Sequence, residues 1–163
     1  MGYQLVETIT VGSGGAASIE FTSIPQDGVD LVVKLSSRHD TTSSLTEIRF
    51  NSDSTNRSSI RLTGDGSSVF SGSQSNIWAR GNRSDATSNT FANSSFYISN
   101  YAGSTAKSVS VDGVGENNGT LAYQEIDAGL WNDTSAITAV ELFPNSGNFV
   151  QYSTASIYKI TAD

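Results

Sequence analysis

Apolar residues in this chain recur at every second position, and almost nowhere at the three-and-four spacing of a helix. Val29, Leu31, Val33 and Leu35 share one face of an extended segment, and Val32 between them implies that its middle is covered on both sides. Tyr3, Leu5, Ile9 and Val11 fall on one face of a first strand, with Gln4, Thr8 and Thr10 on the other. Ile19 and Phe21 begin a second, which stops at Pro25. Gly12-Ser13-Gly14-Gly15 and Gln26-Asp27-Gly28 between these runs are turn chemistry, glycine supplying the backbone freedom that a reversal needs.

The pattern continues through Leu45–Phe50, Ile60–Thr63 and Val69 or Ile77 to Ala79, then more strongly through Phe91–Tyr101, Ser108–Val114 and Leu121–Trp131. Asn118-Gly119 predicts a hairpin between the last two, closed by a type I′ turn with positive φ at both central residues. Ala136–Ile160 reads as a final pair of strands around Pro144-Asn145-Ser146-Gly147-Asn148. Residues 51–59 and 81–90, mostly Ser, Asn, Asp, Thr and Arg, read as exposed loops. About ten short strands without a linker or repeat predict one all-β domain over residues 1–163, an antiparallel two-sheet β-sandwich of jelly-roll type. A serial up-and-down barrel is the second architecture that removes free edges.

Charge and composition narrow the function classes. The formal net charge is −7, whereas a nucleic-acid partner calls for a coherent basic surface; no nucleic acid is expected. Cysteine is absent, which removes disulfides, thiolate metal sites and a cysteine nucleophile. Met1–Val11 lacks the basic and apolar regions of a signal peptide, and no apolar run approaches the length of a membrane span, so no membrane partner is expected. Five Asn-X-Ser/Thr triplets, beginning at Asn56, Asn82, Asn93, Asn118 and Asn132, are what chance gives in a chain so rich in these residues.

Candidate chemistry is sparse. His39 is the single histidine; its neighbour Asp40 points away from it on any strand and no serine lies in a nucleophile elbow, so it reads as a surface loop residue. Glu125 and Asp127 share a strand face about 6.8 Å apart, within the roughly 5–10 Å that glycoside cleavage uses, yet a solvated strand face is the simpler reading. Asn51-Ser52-Asp53-Ser54-Thr55-Asn56 resembles the start of a calcium loop without its glycine or distal glutamate, and reads as a polar turn. Trp78 and Trp131 lie within apolar runs and read as core, with Tyr123 and Tyr152 less constrained. No catalytic residue, metal or cofactor is predicted.

Charge is unevenly spread. Residues 34–83 hold Lys34 and six arginines (38, 49, 57, 61, 80 and 83) against four carboxylates, while residues 108–163 hold seven carboxylates against Lys159. Such a dipole suits pairing within one fold or head-to-tail contact between copies around an axis.

The order of several pieces resembles small β-sandwich virion proteins of tailed bacteriophages: Ser23-Ile24-Pro25, Asp30-Leu31-Val32-Val33, Ser36-Ser37-Arg38, Ile48-Arg49-Phe50-Asn51, Ile137–Phe143, Ser146-Gly147-Asn148-Phe149 and Ile157-Tyr158. The resemblance implies a head decoration (cement) protein, or alternatively the receptor- or glycan-binding tip of a tail fibre, with no catalytic motif. It favours decoration, because the chain has no fibre shaft or attachment arm. It further implies a protein made in the bacterial cytoplasm and placed on the capsid surface, with the major capsid protein as partner. A homotrimer is expected besides, since three copies joined around an axis turn later contacts into intramolecular ones. Arg49, Arg57 and Arg61 are the expected contact residues, since arginine forms forked bonds to carboxylates.

Overall fold

The computed structural model describes residues 2–162. Its regular elements are twelve strands: β1 (Gly2–Thr10), β2 (Ile19–Phe21), β3 (Asp30–Ser37), β4 (Leu45–Phe50), β5 (Arg57–Gly64), β6 (Val69–Gln74), β7 (Ile77–Arg80), β8 (Ala92–Ile98), β9 (Lys107–Glu116), β10 (Ala122–Trp131), β11 (Val140–Pro144) and β12 (Thr154–Thr161). They form an eight-stranded sheet in the order β1-β12-β3-β8-β9-β10-β5-β6 and a four-stranded sheet in the order β2-β11-β4-β7. All pairings are antiparallel. The two-sheet sandwich read from the alternation is therefore the observed fold.

Its jelly-roll character lies in the nesting of pairs. β2 pairs with β11, β3 with β8, β4 with β7 and β5 with β6, so a long hairpin whose tip is β5–β6 is rolled until successive arms fall in alternate sheets. The β9–β10 pair is inserted between β8 and β5, and the β1–β12 pair extends the other edge. Between the layers lie Ile19, Phe21, Leu31, Val33, Leu35, Ile48, Phe50, Ile77, Phe96, Val111, Trp131, Val140, Leu142 and Ile157, all buried.

Three local expectations need correction. β11 and β12 are not a pair: they belong to opposite sheets, and the segment between them crosses the sandwich through Phe149, which bridges Ala16 and His39. In β1 the register shifts between Leu5 and Glu7, so Tyr3 and Leu5 face solvent while Ile9 packs on the core; one bulged residue reverses the parity that sequence alternation assumes. The β9–β10 hairpin exists, but Glu116 pairs with Ala122 and leaves five residues in its loop, of which Asn118 alone has positive φ. The turn is therefore not type I′.

The two predicted loops differ in kind. Residues 51–56 form the connection to β5, which begins at Arg57. Residues 81–90 are tethered, because the Arg38 guanidinium donates to the carbonyls of Ser84, Ala86, Thr87 and Thr90 at 2.6–3.3 Å. Gly81, Asn82 and Ala86 are buried there, and the burial of Asn82 puts one of the five glycosylation triplets out of reach.

Candidate functional site

On β5 and β10 the usual polarity of a sandwich is inverted. Arg57, Ser59, Arg61 and Thr63 point between the sheets from β5, as do Tyr123, Glu125, Asp127, Gly129 and Trp131 from β10. The apolar Ile60, Leu62, Ile126 and Leu130 point outward instead, Ile60 being 61% exposed. Strand alternation forces this choice: once Trp131 is placed in the core, every second residue before it must follow.

The inward face makes a charged cluster. Glu125 and Asp127 are each only 1% exposed, which corrects the reading of a solvated strand face. Asp127 Oδ2 accepts from Ser59 Oγ at 2.9 Å and from the Trp78 amide at 3.4 Å, while its Oδ1 has no partner among the described residues. Both Glu125 oxygens are likewise unpartnered, as are Thr63 Oγ1, Nε and one terminal nitrogen of Arg61, and Nε of Arg80. The guanidinium of Arg61 lies 5.3 Å from the centroid of the Phe70 ring, and that of Arg80 lies 4.0 Å from that of Tyr123.

Burial sets the protonation here. It pushes Asp127 up to about 6, against the lowering by Ser59, Trp78 and Arg61. It raises Glu125 too, with Arg61 and Arg80 pulling the other way and Asp127 adding to the rise. The same desolvation lowers Arg80, partly offset by Glu125. Gly113 and Gly115 on β9 make room for the Arg80 stem: a Cβ at Gly115 would sit 2.9 Å from its Cγ.

A recess of about 170 Å³ opens onto this cluster, lined by Ser44, Leu45, Arg61, Thr63, Phe70, Arg80 and Glu125. A second, of about 190 Å³, adjoins it through Thr63 and Phe70 and adds Asp65, Ser68, Val69 and Tyr123. Both lie at the open side of the sandwich, where β6 ends one sheet and β7 the other.

The outward face is a shallow groove of about 670 Å³ lined by Ile60, Ile126, Ala128, Leu130, Ser108 and Tyr97, among others. Val69 at the β6 edge, 74% exposed, and Leu62 continue its apolar character. Around Ile60, Ile126 and Leu130, the outward residues of β5, β6 and β9 are mainly serines (Ser58, Ser71, Ser73, Ser108 and Ser110).

The remaining candidates are used by the fold. His39 is not a surface residue: it is fully buried, with Nδ1 2.9 Å from the Ser43 carbonyl, Nε2 3.0 Å from Thr46 Oγ1 and an edge-on contact with Phe149. Burial lowers its pKa, against the raising effects of the Ser43 carbonyl and Asp40. The 51–56 segment is a polar turn in which Asp53 accepts from the Thr55 amide and hydroxyl, Asn56 and Trp131 Nε1. Trp78 and Trp131 are buried, whereas Tyr152 is exposed.

Of the three arginines expected at a partner contact, Arg57 has a side chain only 1% exposed and paired with Glu47. Arg61 points between the sheets. Arg49 is 32% exposed in its side chain, also bonds Glu47, and lies over Phe143. In the strand register Asp127 stands opposite Arg61 and Glu141 opposite Arg49, while the ion pairs Arg49 and Arg57 form are with Glu47. The inverted polarity was not read from the sequence, although it left a trace. Gly113 and Gly115 share the inward phase on β9, and Gly129 is in phase with Glu125 and Asp127 on β10. Glycines at that spacing mark the face pressed by another layer.

No protein-family model matches the sequence, and no curated protein matches it. Among solved structures the chain is similar to an exo-inulinase from Aspergillus awamori, with 19% identity and a TM-score of 0.44 over 99% of this chain and 29% of that one. The chain thus spans under a third of that enzyme's length, and a likeness this loose carries no argument about function.

Proposed function

We propose that this chain is a non-enzymatic assembly protein that decorates the outside of a bacteriophage capsid as a homotrimer and stabilises the shell by bridging its subunits. The observation carrying the assembly part is the apolar outward face of β5 and β10, which spends Ile60, Leu62, Ile126 and Leu130 on solvent while charged groups are held inside. An exposed apolar patch rimmed by small polar residues is the signature of a protein contact. The edge strand β6 beside it leaves one row of backbone groups without a sheet partner, which suits addition of a neighbouring strand. The capsid as partner rests on the resemblance to phage virion sandwiches. Trimerisation raises avidity for a repetitive shell by about 10²–10⁴ without a new contact.

The contact is assigned to this face rather than to Arg57 and Arg61, whose side chains point inward. Sedimentation tests the reading. The protein should run as a trimer and cosediment with empty phage heads, and Ile60→Asp together with Ile126→Asp should abolish both while the monomer stays folded. A wild-type protein that is monomeric at tens of micromolar and fails to cosediment overturns the proposal; labelling at the tail end of virions instead of across the head would also overturn it.

A further inference from the structure

The recess between the sheets is independent of the outward face, and its chemistry is specific. Glu125 is only 1% exposed and offers two unpartnered acceptor oxygens. Arg61 and Arg80 offer unpartnered N–H donors from the facing strands β5 and β7, and the Thr63 hydroxyl stands beside Glu125, opposite it in the β5–β10 register. Phe70 and Tyr123 line the mouth, each with one face already against a guanidinium. A simple anion would satisfy the arginines and be repelled by Glu125; a simple cation would do the reverse. Among the described residues no group of three or more His, Cys, Asp or Glu side chains stands ready for a metal ion.

What satisfies both sets is a neutral molecule whose adjacent groups each donate and accept, with an apolar surface to lie against an aromatic ring. Vicinal hydroxyls on a saturated ring have that character: one hydroxyl accepts from a guanidinium while its neighbour donates to a carboxylate. At about 170 Å³ the recess is small, with room for a single ring-sized group rather than a longer chain. We propose that the recess lined by Arg61, Thr63, Phe70, Arg80 and Glu125 is a binding site for a single hexose unit, alone or at the end of a glycan. The adjoining recess toward Asp65 and Ser68 takes the next ring or the aglycone. Because Phe70 is half exposed on the edge strand, the site is entered past β6.

Amide NMR spectra of the whole protein, titrated separately with D-glucose, D-galactose, D-mannose and inorganic phosphate, test this. At least one hexose should shift the amides of Thr63, Phe70, Tyr123 and Glu125 saturably at millimolar concentration. Phe70→Ala should weaken that binding about tenfold, the loss of one stacking contact, while the rest of the spectrum is unchanged. Glu125→Gln, which keeps the shape but removes the charged acceptor, should weaken it as well. Absence of saturable shifts with all three hexoses overturns the proposal. So do shifts that are indifferent to both substitutions, or phosphate saturating the recess while the sugars do not.

Discussion

The Arg57 guanidinium crosses from one sheet to the other to meet the Glu47 carboxylate at 2.5 Å, and both side chains are buried. Arg57 also donates to the carbonyls of Ile48 and Ser54 and to Asn76 Oδ1 at 2.9–3.2 Å, so its fork is fully used. Such a pair adds little net stability over a well-packed apolar pair, but it is costly to break on one side, and it fixes how the two sheets sit on one another.

Replacing Glu47 by Gln should therefore destabilise the protein by about 3–5 kcal/mol, because Arg57 is left charged in the interior. Replacing both residues together, Glu47→Leu with Arg57→Met, should cost markedly less than the sum of the single changes. Urea denaturation of the four proteins in a double-mutant cycle measures the difference, and additive effects would deny the coupling.

Stability should fall as the pH rises through the Asp127 titration. The folded state holds the Asp127 proton up to about pH 6, while the unfolded chain releases it near 3.8. The contribution is thus full below the lower value and lost through the upper one. Its size is on the order of 1–3 kcal/mol. Glu125, raised by the same burial, acts in the same direction. Melting curves between pH 4 and 7 should show a flatter loss for Asp127→Asn than for the wild type.

His39 works against that trend. Its pKa is depressed from 6.5 by burial, so the unfolded chain takes up the proton first and stability is lost as the pH falls below that value. The Ser43 carbonyl can only accept, so Nδ1 carries the hydrogen and Nε2 accepts from the Thr46 hydroxyl. Imidazole nitrogen NMR should find the neutral form as the Nδ1–H tautomer, and Thr46→Val should cost roughly 1–3 kcal/mol by orphaning Nε2. An imidazole that titrates above 6.5 in the folded protein, or a neutral Nε2–H tautomer, would contradict this account.

Asp53 joins the 51–56 turn to the core, since its Oδ2 accepts from Trp131 Nε1 at 2.8 Å and its Oδ1 from the Thr55 amide at 2.7 Å. Those bonds, with the Trp131 indole first among them, hold its carboxyl far below the usual range. Asp53→Ala should cost roughly 1–3 kcal/mol and shift the tryptophan emission. Added calcium should change neither stability nor emission of the wild type, because the carboxylate already serves protein donors.

The fold was legible because Leu31, Val33 and Leu35 follow the two-residue period that one buried sheet face demands, and Val32 on the opposite face is buried as expected. Positions where the period slips were not. A single bulge beside Val6 turns Tyr3 and Leu5 outward, and no composition rule announces a bulge. The site was misread for a related reason. Ile60, Leu62, Ile126 and Leu130 look like core and Glu125 and Asp127 like surface, yet Trp131 sets the phase of the whole strand and reverses both. Which of two alternating faces is inside depends on the register with β5, information that lies sixty-odd residues away along the chain.

The pairing of Gly2 with Thr161 has a practical consequence. Polypeptide grafted before residue 2 or after residue 161 would emerge side by side at the β1–β12 edge. That edge is seven strand spacings from β6, about 34 Å at the usual 4.8 Å. Fused cargo would hang from the margin opposite the Glu125 recess and clear of the apolar groove. A short loop joining the two ends could equally let the chain be reopened elsewhere, with the nested hairpin left as it is.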